Sequence, residues 1–253
     1  MSRVLAAVMG SALAACAASP PRWTPPPDVS ADAAVVYVST DCSAVLVGPR
    51  HALTAAHCVE DPGPMHVRVG GRRLPVQACA VHPSAYGRPR ECGAGPGHTD
   101  VDHDLAVLTL EAPADVAPVG VLLTAPELDA GWWRERSVRL VGWDRRPRFV
   151  GPLARRSGEN RIVARQRGAF VTAPPTVDGF HTIVGDSGGP ALIRLGGIER
   201  VAGVLRGGPA PGSTRSVYAA TFEPDNARWL LGVLPPELTS ELQLDPAAPF
   251  GRR

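Results

Sequence analysis

The chain has 253 residues, 44% of them hydrophobic, with 26 basic side chains against 24 acidic ones for a formal charge of +2. That length allows one large domain or two small ones with ample core, and so small a charge makes no case for nucleic acid or an anionic membrane surface as partner. Lysine is absent, so every basic residue is arginine, which excludes a Ser–Lys dyad, a P-loop lysine and a pyridoxal Schiff base.

Residues 1–16 read as a targeting segment: Arg3 supplies a positive start, and the apolar stretch 4–15 is too short to cross a bilayer. It ends Leu13-Ala14-Ala15-Cys16, which resembles the lipobox of bacterial lipoproteins, where the cysteine becomes the lipidated first residue. The competing reading is cleavage at an Ala-x-Ala site such as Ala15-Cys16-Ala17. The first predicts a lipoprotein of the bacterial cell envelope, held to its membrane at Cys16, and the second a secreted protein. Residues 17–31, Pro-rich over 19–28, read as an extended tether.

Short β-branched runs then recur between turn residues, over 33–38, 44–47, 65–69, 74–81, 105–110, 119–123, 138–143 and 161–172. Three more follow over 191–195, 200–205 and 217–222. Short strands at regular spacing with Gly/Pro punctuation argue for antiparallel barrels or sandwiches rather than βαβ units. Residues 225–234 read as a helix, capped by Asp225, with Trp229, Leu230 and Val233 on one face and Pro235-Pro236 as its stop. Residues 235–253 read as a loose tail.

Three segments carry chemistry. A serine hydroxyl is a poor nucleophile without a base in hydrogen-bond reach, and Ser187 sits in Gly185-Asp186-Ser187-Gly188-Gly189-Pro190. Glycines there permit close substrate approach and a tight turn that aims N–H groups at a developing oxyanion. Far upstream, Thr54-Ala55-Ala56-His57-Cys58 offers an imidazole, which as a base needs a carboxylate to hold its tautomer and orientation. The stretch 98–104 holds His98, Asp100, Asp102, His103 and Asp104. Asp104 is the choice because an apolar strand begins directly after it, at a barrel edge where the carboxylate can be buried; Asp100 and Asp102 read as a solvated loop face. His98, Asp100, Asp102 and His103 lack the glycine and distal glutamate of an EF-hand loop, and neither a metal nor a cofactor is implied. Four cysteines remain after Cys16: Cys42, Cys58, Cys79 and Cys92. An even set in an exported chain suggests two disulfides, with three possible connectivities.

The order His, Asp, Ser, with these local sequences, resembles the chymotrypsin/trypsin family of serine endopeptidases over about residues 35–231. The resemblance implies an all-β fold of two antiparallel six-stranded barrels, about 32–123 and 124–222, with the active site in the cleft between them and the helix 225–234 closing a domain over 32–234. It implies a monomer that hydrolyses protein or peptide substrates through an acyl-enzyme. Ser187 is then the nucleophile, His57 the base, Asp104 the group that orients it, and the N–H groups of Gly185 and Ser187 the oxyanion hole. The same resemblance pairs Cys42 with Cys58 and leaves Cys79 with Cys92.

Two departures stand out. In the substrate pocket His181 lies six residues before the serine, Arg206-Gly207-Gly208 replaces the usual Ser-Trp-Gly, and Ser216 stands where glycine is usual. His181 and Arg206 there either favour an acidic substrate side chain by charge-assisted hydrogen bonds, narrow the pocket, or point outward as ordinary loop residues. In addition, nothing after Arg22 resembles the Ile-Val-Gly-Gly start whose freed amine pairs with the aspartate beside the serine, here Asp186. Either another cation serves, with Arg139 and Arg145 as candidates, or Asp186 stays solvated. A protease-fold binding protein with little turnover, and an esterase-type hydrolase, are the alternative readings.

Overall fold

The computed structural model describes residues 31–97, 99–100, 102–124, 133–143, 155–175, 180, 182–208 and 213–240. Twelve strands close into two six-stranded antiparallel barrels. The first contains β1 (Val35–Val38), β2 (Cys42–Gly48), β3 (His51–Thr54), β4 (His66–Val69), β5 (Arg72–Val81) and β6 (Ala106–Leu110), joined in the ring order β1-β2-β3-β6-β5-β4. The second contains β7 (Ser137–Trp143), β8 (Arg155–Gln166), β9 (Ala169–Thr172), β10 (Pro190–Leu195), β11 (Ile198–Gly207) and β12 (Val217–Ala220), in the order β10-β11-β12-β9-β8-β7. Closure removes the exposed edges that open sheets must otherwise protect.

Each barrel is filled from within. Leu46, Leu53, Leu105, Leu108 and Leu110 lie fully buried in the first, and Leu140, Ile162, Phe170, Ile193 and Tyr218 in the second. The Phe170 and Tyr218 rings stack at 5.4 Å, and Phe170 lies so close over Gly203 that a Cβ there would strike the ring. Full burial of a side chain of this size stabilises by roughly 1.5–3 kcal/mol.

Differences from the sequence reading have local causes. Strand β3 lacks a long apolar run, yet pairs with both β2 and β6. The run 119–123 makes only an isolated bridge, Val121 to Val201. The run 161–172 is two strands, β8 and β9, because the chain reverses at Gly168 with φ +74°. The first half of β8 is polar and alternates in exposure, so hydrophobic patterning did not mark it.

Helix α1 (Pro224–Val233) has Glu223, not Asp225, at its N-cap position and no side-chain cap; Pro224 opens it and Asp225 lies in the first turn, where its charge suits the helix dipole. Leu230 is buried, and Trp229 and Val233 are half-buried against the first barrel. The expectation of a loose tail from 235 is corrected by a second short helix, α2 (Pro236–Ser240), whose Leu238 packs so tightly on Gly48 that no Cβ would fit there. No described helix is long and apolar enough to cross a membrane. The targeting segment, the tether and Cys16 lie outside the described residues.

The barrels meet at β7, which packs against β1 and β2. Trp143 at the end of β7 donates its indole N–H to Val35 O at 3.0 Å and its backbone N–H to Ser43 Oγ at 2.9 Å. Arg139, also on β7, holds the N-terminal 3-10 turn (Ala31–Ala34) through Asp32 while gripping Glu199 with two nitrogens.

Candidate active site

His57 lies on a 3-10 turn (Ala56–Val59) directly after β3. Cys58 ties that turn to β2 through a disulfide with Cys42, and Cys79 is bridged to Cys92. Closing loops of this size stabilises by about 3 kcal/mol on the chain-entropy model. Asp104 stands just before β6 and is fully buried. One carboxylate oxygen accepts the His57 backbone N–H at 3.0 Å and the other faces Nδ1 at 2.7 Å. An ionised carboxylate only accepts hydrogen bonds, so Nδ1 carries a proton and the neutral ring keeps its lone pair on Nε2.

Ser187 is half-buried in the turn that leads into β10. The turn is knitted to both barrels. Gly188 N donates to Leu205 O at 2.8 Å, Leu205 N to Gly189 O at 2.9 Å, and Gly189 N to Asp186 O at 2.8 Å. From the first barrel, Ser43 N donates to Ser187 O at 2.7 Å and the Ser43 hydroxyl to Gly185 O at 2.9 Å. Gly188 has φ +80°, and a Cβ on it would run into Ser43 O and the Thr54 hydroxyl, so only glycine meets both demands. The close approach that excludes a side chain at 188 sets the serine turn against Thr54 and Ala55, just before His57 in the chain. Asp186, Gly188 and Gly189 use their N–H groups inside the protein, whereas those of Gly185 and Ser187 have no acceptor among the described residues. Such free, preorganised donors suit an oxyanion.

Burial by itself drives the His57 imidazole toward its neutral form, but the hydrogen bond and charge of Asp104 outweigh it and raise its pKa above the ordinary histidine value. Arg206 opposes that rise and Glu60 assists it. Arg206 is half-buried near the end of β11. Its neighbour Gly208 is half-buried, and Ser216 is buried with its hydroxyl 2.6 Å from that of Thr182. His181 lies outside the described residues, so the structure sets no His181–Arg206 pair.

Asp186, adjacent to the serine, is buried with its Oδ2 accepting Ile183 N–H at 2.8 Å and facing Arg156 Nη1 at 3.3 Å. Arg156 on β8 is the cation that the sequence reading sought elsewhere. Arg139 is corrected, since Asp32 and Glu199 occupy it, and Arg145 lies outside the described residues. The register explains the choice: Gly142 pairs with Arg156 across β7 and β8, and Asp186 packs where a Gly142 Cβ would be. Register is a tertiary property, and an arginine in a polar run such as 155–160 gives no local signal of it.

Cys42, His57 and Cys58 bring potential metal-ligand atoms together, but both sulfurs belong to the disulfide and provide no thiolate. In the 98–104 stretch Asp100 is exposed, Asp102 is half-buried rather than solvated, and His98 lies outside the described residues.

Residues 27–229 match the family model described as Trypsin. This chain belongs to the trypsin family of serine-type endopeptidases. It is 26% identical to a trypsin of Saccharopolyspora erythraea over 165 residues, which cover 60% of this chain and 70% of that one. It is 28% identical to human kallikrein-2 over 194 residues, 67% of this chain and 70% of that one. Among solved structures, mouse neuropsin, a serine protease, superposes with a TM-score of 0.59 at 20% identity, covering 81% of this chain and 95% of that one. The last likeness speaks to the fold, the two barrels above.

The His57 environment sets a pH dependence. With the neutral ring as the expected base, a raised pKa keeps the imidazolium, its inactive form, to higher pH. We expect kcat/KM to rise with pH through a midpoint above the usual histidine value of about 6.5. Arg206→Ala removes a charge that disfavours imidazolium and shifts that limb to higher pH. A profile flat from about pH 5 to 9 in folded protein contradicts His57 as the base.

Proposed function

We propose that this chain is an exported serine endopeptidase that cleaves peptide bonds by acyl transfer through Ser187, His57 and Asp104. Ser187 Oγ attacks the scissile carbonyl while His57 Nε2 takes its proton. The oxyanion of the tetrahedral intermediate rests on the Gly185 and Ser187 N–H groups; losing such a donor raises the barrier by about 3–4 kcal/mol in comparable sites. His57 then protonates the leaving amine, the acyl-enzyme forms, and water activated by the same imidazole releases the acid. Asp104 holds the tautomer throughout. The observation that carries this reading is the two-point grip of Asp104 on His57, at 3.0 and 2.7 Å, with a serine turn whose Gly185 and Ser187 N–H groups have no acceptor among the described residues. The pair Arg156–Asp186 supplies the support that a freed N-terminal amine gives in family zymogens, so the turn is formed without cleavage of the chain.

Ser187→Ala is expected to reduce peptide hydrolysis by a factor on the order of 10⁶, His57→Ala by about as much, with the double variant little worse. Fluorophosphonate labelling of wild type, and none of Ser187→Ala, accompanies it. Peptidase activity surviving in purified Ser187→Ala overturns the mechanism.

Two disulfides suit an oxidising compartment outside the cytosol, and the Leu13–Cys16 motif supports a lipoprotein held to a membrane at Cys16. Cys16→Ser is expected to release it from the membrane fraction or block its maturation, because acyl chains at Cys16 provide the anchor. Unchanged membrane association of Cys16→Ser overturns this part of the reading.

The cleft also carries a substrate preference. Arg206 is a cation close enough to His57 to act on its titration, and no ion pair engages it among the described residues. We assign a preference for acidic residues on the acyl side of the cut, with Arg206 and His181 as donors. Arg206→Ala and His181→Ala are each expected to reduce cleavage after Glu or Asp more than after Leu or Ala, by about 1.5–3 kcal/mol for a buried charged hydrogen bond. A library profile led by Arg, Lys or large aromatics refutes it.

A further inference from the structure

Asn226, the third residue of α1, is a polar side chain with no exposed surface. Its amide nitrogen faces three backbone carbonyls: Asp102 O at 2.8 Å, Ala220 O at 2.9 Å and Gly168 O at 3.3 Å. Carbonyls only accept, so the orientation of the amide is fixed and its Oδ1 must be the acceptor at the fourth contact. That contact is His103 Nδ1 at 2.9 Å, so His103 carries a proton on Nδ1. One side chain of the C-terminal helix thus holds two successive residues, 102 and 103, immediately before Asp104.

The surroundings leave this segment little freedom. A Cβ on Gly168, at the β8–β9 turn, would strike Asp102. The His103 ring stacks on His82 with centroids 4.7 Å apart and planes 6° off parallel, and Trp229 of α1 meets His82 edge-on at 5.0 Å. Burial, and then the neighbouring His103, holds the His82 pKa down to about 4, so that ring is neutral in the stack at neutral pH. Backbone bonds continue the chain of contacts, with His82 N donating to Leu105 O at 2.9 Å. Asp104 sits between these fixed points and reaches His57 with both oxygens.

We infer that Asn226 is a positioning residue for the catalytic carboxylate: by binding the Asp102 carbonyl and His103 Nδ1 together, it fixes from helix α1 where Asp104 stands. Asn226 touches neither substrate nor the reacting atoms; it acts through His103 and the Asp102–Asp104 backbone. The inference rests on the proposed triad, because misplacing Asp104 matters to turnover only if His57 is the base. A displacement of about 1 Å at such a group lowers turnover on the order of a hundredfold.

The test compares wild type, Asn226→Ala, His103→Phe and His103→Gln as full chains, each with active sites titrated by a fluorophosphonate. Phenylalanine keeps a flat ring for the stack on His82 and loses the donor; glutamine keeps a donor for Asn226. The expected result is a fall in kcat per titrated site, roughly ten- to a hundredfold, in Asn226→Ala and His103→Phe, with KM within about twofold of wild type. The rising limb of kcat/KM should also move down toward the ordinary histidine value, since Asp104 no longer holds the imidazolium as firmly, and His103→Gln should recover most of both. Unchanged kcat per titrated site overturns the inference, as does a loss confined to the number of titratable sites or to thermal stability. Failure of both variants to fold assigns the cluster a structural role alone and also overturns it. Absent labelling of wild type refutes the triad itself and this inference with it, whereas full labelling with unchanged variants refutes only the role of Asn226.

Discussion

Ser43 is the point on which the rest of the site depends. It is fully buried on β2, and all its polar groups cross between structural units. Its N–H and hydroxyl go to Ser187 O and Gly185 O of the serine turn. The hydroxyl oxygen also accepts Trp143 N–H from β7, and its carbonyl accepts the Thr54 hydroxyl from β3. Each bond contributes only about 1 kcal/mol net, but none of these groups can be left unpaired in a dry interface without a larger penalty. These bonds help hold the two barrels in one relative position, and a position within a fraction of an ångström is what a nucleophile and its base require.

The charges near the serine turn divide their work by location. Asp104 is enclosed and faces His57, so its effect is to stabilise imidazolium. Asp186 is enclosed on the opposite side of the turn, against Arg156, and stiffens the backbone that bears Ser187. Arg156 itself lies over the Phe180 ring at 4.7 Å, a contact that favours a cation. Arg206, half-buried, opposes Asp104 in its effect on His57.

Barrel one supplies His57 and Asp104, yet neither is held by barrel one alone. The disulfide Cys42–Cys58 fixes the histidine turn from its own sheet, while the approach to Asp104 is bounded by the Gly168 turn and by α1. The loop closed by Cys79–Cys92 adds another brace: the Tyr86 hydroxyl lies 2.8 Å from Glu60 Oε1 and 3.1 Å from Ala56 O, contacts that flank His57. Helix α1 reaches the approach to Asp104 through buried Asn226, and half-buried Trp229 meets His82 edge-on.

The chemistry of the site was legible in the sequence because it resides in contiguous motifs: Thr54 to Cys58, Asp104 before its apolar strand, and Gly185 to Pro190. Most strands were legible for the same local reason, a β-branched alternation closed by turn residues. The cation for Asp186 was not, because Arg156 earns its role only by lying opposite Gly142 in a strand register, while Arg139, nearer in the sequence pattern, is drawn to Asp32 and Glu199. Ser43, an ordinary small residue in an apolar strand, and Asn226, an ordinary residue in the first turn of a helix, gave no signal. Their functions consist of partners more than a hundred residues away, at Gly185 and at Asp102. Residue type and spacing determine which groups can do chemistry; which of them meet is decided by how two closed barrels pack, since a hydrogen bond depends on distance in space and not along the chain.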